Sequence, residues 1–359
     1  MSGDSAKDRV RLVDVAKAAG VSHMTVSRVI NDDPAVAERT AARVRRSIEA
    51  LGYVPPPPEV RFRRPSRRKY GIRTENIALV FPDVEAVSMR TALSAALAQG
   101  IEGYLHGREL NLIVTHLRAA DEAPNCVEKR QVDGLICRSG NLSAEVGRRL
   151  AELPLVYVFG RHEDADSVDA DDEAIGALAA ERLVARGHGR VACVNPMAGH
   201  PGFEVRLDAF RRAAGAAGMT VAEVETTQTG GGTVLGRLLG LTPRPEGVFF
   251  AGFTSEAPVE GTLRGLGDAG FGSGGESVVA CVNFAVDVGA VGYALTQIDI
   301  QPEEIGRTAA QQLLWRMRHP EEAHRRLLVA PRVTEMSPAP AGSAIEHDTF
   351  SQVGGARDG

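Results

Sequence analysis

"LVDVAKAAGVSHMTVSRVIN", Leu12 to Asn31, sets two short apolar-striped segments on either side of Gly20. In the first, Val15, Ala16 and Ala19 recur with the 3.6-residue period of one helix face. Gly20 then supplies the left-handed turn that closes a helix without a Cβ penalty. Ser22 is a natural N-cap for the second segment, whose Val26, Val29 and Ile30 fall at i, i+3 and i+4 on one stripe. His23, Met24, Ser27 and Arg28 are left on the open face. A helix docked by its apolar side, with polar residues outward at its N-terminal end, has what it needs to reach base edges in a major groove. The pattern predicts a third helix over about 37–51, with Ala41, Val44, Ile48 and Leu51 inward and Gly52 ending it.

Charge points the same way. Residues 1–73 carry sixteen Lys/Arg against eight Asp/Glu, a balance of +8, while the rest of the chain stands at −13, for −5 overall. A basic head on an acidic body is the footprint of nucleic-acid binding. The 359 residues exceed one ordinary core, and 43% hydrophobic with 24% charged residues is a globular composition. Cys126, Cys137, Cys193 and Cys281 include no CxxC pair and three lie in apolar runs, as reduced buried thiols would. The first thirty residues hold no signal-peptide core, and no run approaches the roughly 18 apolar residues of a membrane span. The expectation is a cytoplasmic protein, nucleoid-associated when on DNA, with no metal site, cofactor or membrane partner.

"DVAKAAGVSHMTVSRVIN", followed by "ALGYVP" at 50–55, resembles the DNA-binding head of the lactose-repressor (LacI/GalR) family over roughly Leu12 to Pro55. The resemblance implies that His23 and Met24 discriminate operators, that Arg28 reads a third base or holds a phosphate, and that Thr25, Ser27 and Asn31 hold phosphates or brace the helix. Ser22 and Tyr53 complete the head's DNA-binding set. Arg11 and Ala37 stand where family members usually carry small hydroxyl caps, and each lost cap costs about 1 kcal/mol. The family's hinge, a short helix on operator DNA with a Leu wedge in the minor groove, is matched here by "GYVPPPPEVRFRRPSRRKYG". Prolines confine any helix to about Pro58–Arg63, and Phe62 takes the wedge position beside Arg61. Two readings stand: Phe62 kinks the operator centre, or the stretch is an extended Pro-rich spacer.

From Asn76 onward, strand-like runs alternate with helix-length segments: "NIALVF", "LNLIVT", "VDGLIC" and "LPLVYVF", then "RVACVN", "TVAEVE", "GVFFAG" and "SVVACV". Two such blocks predict two doubly wound parallel-sheet lobes with a cleft between them. The fold class is therefore α/β, an all-α helix-turn-helix head plus a two-lobed core. "QVDGLI", "RLDAFRRAA" and "LTQIDIQPEEIGRTAAQQLL" extend the family resemblance over about 76–336, and it implies a periplasmic-binding-protein-like core. The expected division is a disordered 1–9, helix-turn-helix 10–54, Pro/Arg hinge 55–75, first lobe 76–170 plus 299–316, second lobe 171–298 plus 317–336, and a disordered tail 337–359.

For an effector, the resemblance points to Arg206 and Asn283, with Arg206 as a plain structural ion-pair partner the alternative. Several of the family's carboxylates and its aromatic stretch after the first strand are missing, so a common sugar is disfavoured as ligand. "GLGDAG", Gly265 to Gly270, satisfies GxGxxG but follows a helix-like stretch and precedes a strand, the reverse of a dinucleotide fingerprint. No GxxxxGK[ST], GxSxG or HExxH occurs, so no catalytic residue is expected. The reading is a dimeric, sequence-specific regulator, most readily a repressor on a near-palindromic operator, with a small-molecule effector of unknown identity. The alternative is a DNA binder of low specificity with a vestigial sensor.

Overall fold

Three helices occupy the head: α1 Leu12–Ala19, α2 His23–Ile30 and α3 Glu38–Leu51. They appear in a computed structural model that describes residues 10–30, 36–55, 72–82, 88–117, 119, 121–160, 162–196, 198–225, 231–252, 256–282 and 293–336. Asn31, Arg61, Phe62 and Asn283, the linker helix expected near Pro58–Arg63, and the 1–9 and 337–359 tails lie outside the described residues. The head core is built from the periodic stripe: Val15, Ala16, Ala19, Val26, Val29, Ala41 and Val44 are buried together. Gly20, at φ 60, turns the chain between α1 and α2. Leu51, expected inward, is 38% exposed instead. Gly52, at φ 62, reverses the chain, the Tyr53 N–H returns to the Ile48 carbonyl at 3.0 Å, and Tyr53 packs on the core in Leu51's stead.

The core follows as β1 Asn76–Phe81, α4 Ala92–His106, β2 Asn111–His116, α5 Asn125–Glu128, β3 Gly134–Arg138, α6 Ala144–Leu150, β4 Leu155–Val158 and β5 Asp166–Ala170. It continues with α7 Asp172–Ala185, β6 Arg190–Asn195, α8 Pro201–Ala216, β7 Thr220–Glu225, α9 Gly231–Gly240, β8 Gly247–Phe250, α10 Glu256–Asp268 and β9 Ser277–Cys281. The last elements are β10 Ala294–Asp299, α11 Pro302–Arg316, β11 Arg326–Val329 and β12 Arg332–Met336. The first sheet has the order β11-β5-β4-β3-β1-β2 and is parallel throughout. The second has the order β12-β10-β9-β8-β6-β7, with β12 antiparallel at its edge. Each is the doubly wound pattern, strand order reversing about β1 in one lobe and β6 in the other. Apolar side chains on both faces fill each lobe, as fully covered parallel sheets require.

The chain crosses between lobes three times: after β5, after β10 and after β11. The last crossing corrects the expected division, because β11 pairs with β5 (Leu327 opposite Val168), so the first lobe runs to about 329 and not 316. A buried carboxylate explains it. Asp166, fully buried, accepts from Arg316 Nε at 2.8 Å, Arg316 Nη2 at 2.9 Å, Gln312 Nε2 at 2.9 Å and the Arg325 N–H at 2.8 Å. Arg316 Nη1 meanwhile donates to the carbonyls of His319 and Glu322, holding the 317–325 segment on the first lobe. Backbone contact between helices is equally local in cause. A Cβ at Gly306 of α11 would lie 2.2 Å from the Leu97 carbonyl oxygen of α4, so only glycine permits the crossing. The "GLGDAG" stretch lies across the end of α10 and the turn at Gly270 (φ 77), closing a helix where a dinucleotide fingerprint would open one.

Candidate nucleic-acid interface and effector cleft

Helix α2 divides its residues as a docked reading helix would. Val26 and Val29 are buried, His23, Met24 and Arg28 are exposed, and Thr25 and Ser27 lie at the border. Met24 is 57% exposed, an apolar side chain presented to solvent at the helix's first turn. Ser22 caps that turn: its Oγ accepts the Thr25 N–H at 3.1 Å and lies 2.9 Å from Thr25 Oγ1. Tyr53 is half-buried against the head core. At α1, Arg11 has no acceptor to offer as a cap, but its own N–H donates to the Asp14 carboxylate at 2.8 Å, which gives back half of a capping box. Ala37, before α3, makes no side-chain cap.

In the core, open α/β sheets take ligands at the carboxyl ends of their strands. Arg206 lies there in the second lobe, on α8, and is 7% exposed. Its Nε donates to Asp172 Oδ1 at 2.7 Å, and its Nη1 donates to the Ala251 carbonyl at 2.7 Å and Cys281 Sγ at 3.3 Å. The Arg206 guanidinium also stands 5.3 Å from the Phe203 ring centroid. None of these partners lies near Arg206 in sequence, so the spacing of residues around it does not reveal them.

His200 caps α8, its Nδ1 accepting the Phe203 N–H at 3.4 Å, and its ring packs against Phe203 with centroids 4.3 Å apart. Burial lowers its pKa, and the Arg206 and Arg138 cations lower it further. Since Arg138 ends β3 in the first lobe, the two lobes present charge to the same imidazole. The first lobe adds His162, stacked on Tyr157 with centroids 3.4 Å apart and bonded through Nε2 to Ser139 Oγ at 3.1 Å. Burial depresses this imidazole as well, against the pull of Asp169. Asp169 Oδ1 accepts the Gly160 N–H at 2.6 Å and its Oδ2 accepts from Arg326 Nε at 3.2 Å.

The lobe crossings are tied together. Gln301, at φ 59, donates from Nε2 to the Ala330 carbonyl at 2.7 Å and accepts from Arg332 Nη2 at 2.7 Å. The Asp171 N–H reaches the Val329 carbonyl at 3.0 Å. Among the described residues no group of His, Cys, Asp and Glu is arranged to hold a metal ion, and no helix is long and apolar enough to cross a membrane.

Residues 11–56 match the description "Bacterial regulatory proteins, lacI family", and residues 180–336 match "Periplasmic binding protein-like domain". The ribose operon repressor of Escherichia coli K12 is 26% identical over 351 residues, covering 91% of this chain and 98% of that one. The HTH-type transcriptional regulator CelR of Thermobifida fusca is 30% identical over 258 residues, 68% of this chain and 74% of CelR. Among solved structures, a CelR–cellobiose complex superimposes with a TM-score of 0.61 at 27% identity, covering 91% of this chain and 98% of that chain. The lac repressor dimer bound to operator and an anti-inducer gives 0.62 at 20% identity over the same shares, a likeness of fold.

Proposed function

Because the chain belongs to the LacI family of bacterial regulatory proteins and is a DNA-binding transcription regulator, we propose that it is a cytoplasmic repressor that binds a near-palindromic operator as a dimer. One observation carries the reading: α2 buries Val26 and Val29 while a Ser22-capped first turn leaves His23 and Met24 outward. His23 and Met24 read base edges and Arg28 a third position, while Thr25, Ser27 and Asn31 hold phosphates and Ser22 and Tyr53 set the helix. Arg61 holds phosphate at the operator centre, where Phe62 is the wedge. One head reads about half a site, so specificity requires a symmetric pair. A ligand closing the two lobes, with Arg206 and Asn283 as its proposed contacts, changes operator affinity only by preferring one lobe arrangement.

CelR is a relative whose structure holds cellobiose. In this chain the effector is of a different kind, because several of the family's carboxylates and its aromatic stretch after the first strand are missing. The engagement of Arg206 by Asp172, Ala251 and Cys281 favours the second reading, a DNA binder whose sensor is vestigial. Selection of bound fragments from random DNA at low and physiological salt separates the readings, since phosphate contacts alone fade steeply with salt. A near-palindromic site retained at physiological salt is the expected result. Loss of all preference there overturns the specific-regulator reading.

A further inference from the structure

Thr74 and Glu75 are the first residues of the core unit, directly after the DNA-binding unit ends at Arg73. One carboxylate holds both. Asp133, 7% exposed, accepts the Thr74 N–H through its two oxygens at 3.0 and 2.9 Å and the Glu75 N–H at 2.8 Å. Around it the hold is continuous. The Asn111 N–H donates to the Glu75 carbonyl at 2.8 Å, Asn111 Nδ2 reaches Asn76 Oδ1 at 3.0 Å, and Asn76 Nδ2 donates to the Gln131 carbonyl at 2.9 Å. Glu75 sits at φ 63, a conformation that a non-glycine residue keeps only where its surroundings over-determine it.

Strand β1 does not need this anchor to stay in its sheet. It begins at Asn76 and is paired in parallel with β2 on one side and β3 on the other. The charge-assisted bonds from Asp133 fall on the two residues before the strand, where the chain enters the core. Asp133 also precedes Gly134, whose Cα lies so near Leu313 of α11 that an added Cβ would come within 3.2 Å of that side chain. The anchor is therefore seated on a strand that packs against a helix lying between two lobe crossings.

We infer that Asp133 is a positioning residue for operator recognition: it fixes the direction in which the chain leaves the core, and through it the separation at which two heads engage DNA. The inference rests on the dimeric-operator reading above. A linker with a fixed root reaches few head separations, whereas a free root reaches many, so root rigidity appears as dependence on half-site spacing. A residue that merely stabilised the fold would weaken binding to every spacing alike.

The experiment uses the full chain and the operator that the wild type selects, alongside the same operator with one base pair added at its centre. Wild type is expected to prefer the native spacing by about tenfold or more, and Asp133→Ala to narrow that preference to roughly threefold or less. Asp133→Asn, isosteric and keeping one acceptor oxygen, should fall between. If Asp133→Ala does not fold, the ratio for Asp133→Asn decides. A wild type that selects no two-half-site operator sinks the functional reading, and the inference with it. A two-half-site operator bound without spacing preference, or a preference unchanged by the variants, overturns the inference alone.

Discussion

The proposed reading helix and the proposed effector site put their candidate side chains in opposite surroundings. Met24 is 57% exposed and stands on a helix whose far side makes the head core, whereas Arg206 is 7% exposed and is itself part of the packing of the second lobe. On the proposed assignment, recognition and stability reside in different residues of the head helix, but in one and the same residue, Arg206, of the second lobe. Altering what the head reads should therefore leave its fold intact, while altering what the cleft binds should disturb the lobe that forms it.

The sharpest way to break that contrast is Arg206→Met. Removing one partner leaves the half-buried Asp172 without its cation, and breaking from one side a pair whose arginine is buried costs about 3 kcal/mol. Urea unfolding followed by far-ultraviolet circular dichroism, which reads the helices of both lobes, reports the loss. A loss under about 1 kcal/mol would mean that the lobe does not depend on the pair, and the contrast would fail.

The head should respond the other way. His23→Ala and Met24→Ala are expected to stay within about 0.5 kcal/mol of wild-type stability, yet to shift discrimination between operator variants by about 1–3 kcal/mol at the bases they read. Binding to a panel of single-base operator variants, paired with thermal melts, checks both halves. Uniform weakening across the panel would assign these positions to phosphate contact instead. Ser22→Ala lies between the extremes: it removes the acceptor of the Thr25 N–H and should cost about 1 kcal/mol in head stability. Hydrogen exchange at the Thr25 amide would accelerate if the cap is formed in solution, and stay unchanged if it is not.

How far each region could be read from sequence follows the same division. The head was legible because its stripe repeats within twenty residues and its caps and turns are local: Gly20, Ser22 and Gly52 each act on neighbours. Leu51 escaped because the turn at Gly52 hands its place to Tyr53, which periodicity alone does not show. The cleft was opaque because Arg206 meets Asp172, Ala251 and Cys281 across separations of 34, 45 and 75 residues. Strand β5, "DSVDA", is hard to read for a related reason: it is buried along its whole length, but three of its five residues are polar, and its two carboxylates are satisfied by distant partners. Its neighbour β11 was missed with it, and the lobe boundary was misplaced as a result.

The smallest expected effect tests the cleft's charge without touching Arg206. Burial, with Arg206 and Arg138 adding to it, holds the His200 pKa below the ordinary value of 6.5, so the folded state keeps this imidazole neutral where the unfolded chain takes up a proton. Stability follows the difference in bound protons and therefore rises with pH while the unfolded state binds more. The contribution of His200 is in full force above 6.5 and is lost as pH falls from there toward the depressed folded value. Replacing His200 with Asn, which can still cap α8 through its side-chain oxygen, should flatten the decline in core stability between neutral and mildly acidic pH. His162 and His188, also depressed by burial, remain in both proteins, so the difference between the two pH curves isolates His200. Parallel curves would mean that burial and the two arginines together do not depress the His200 imidazole.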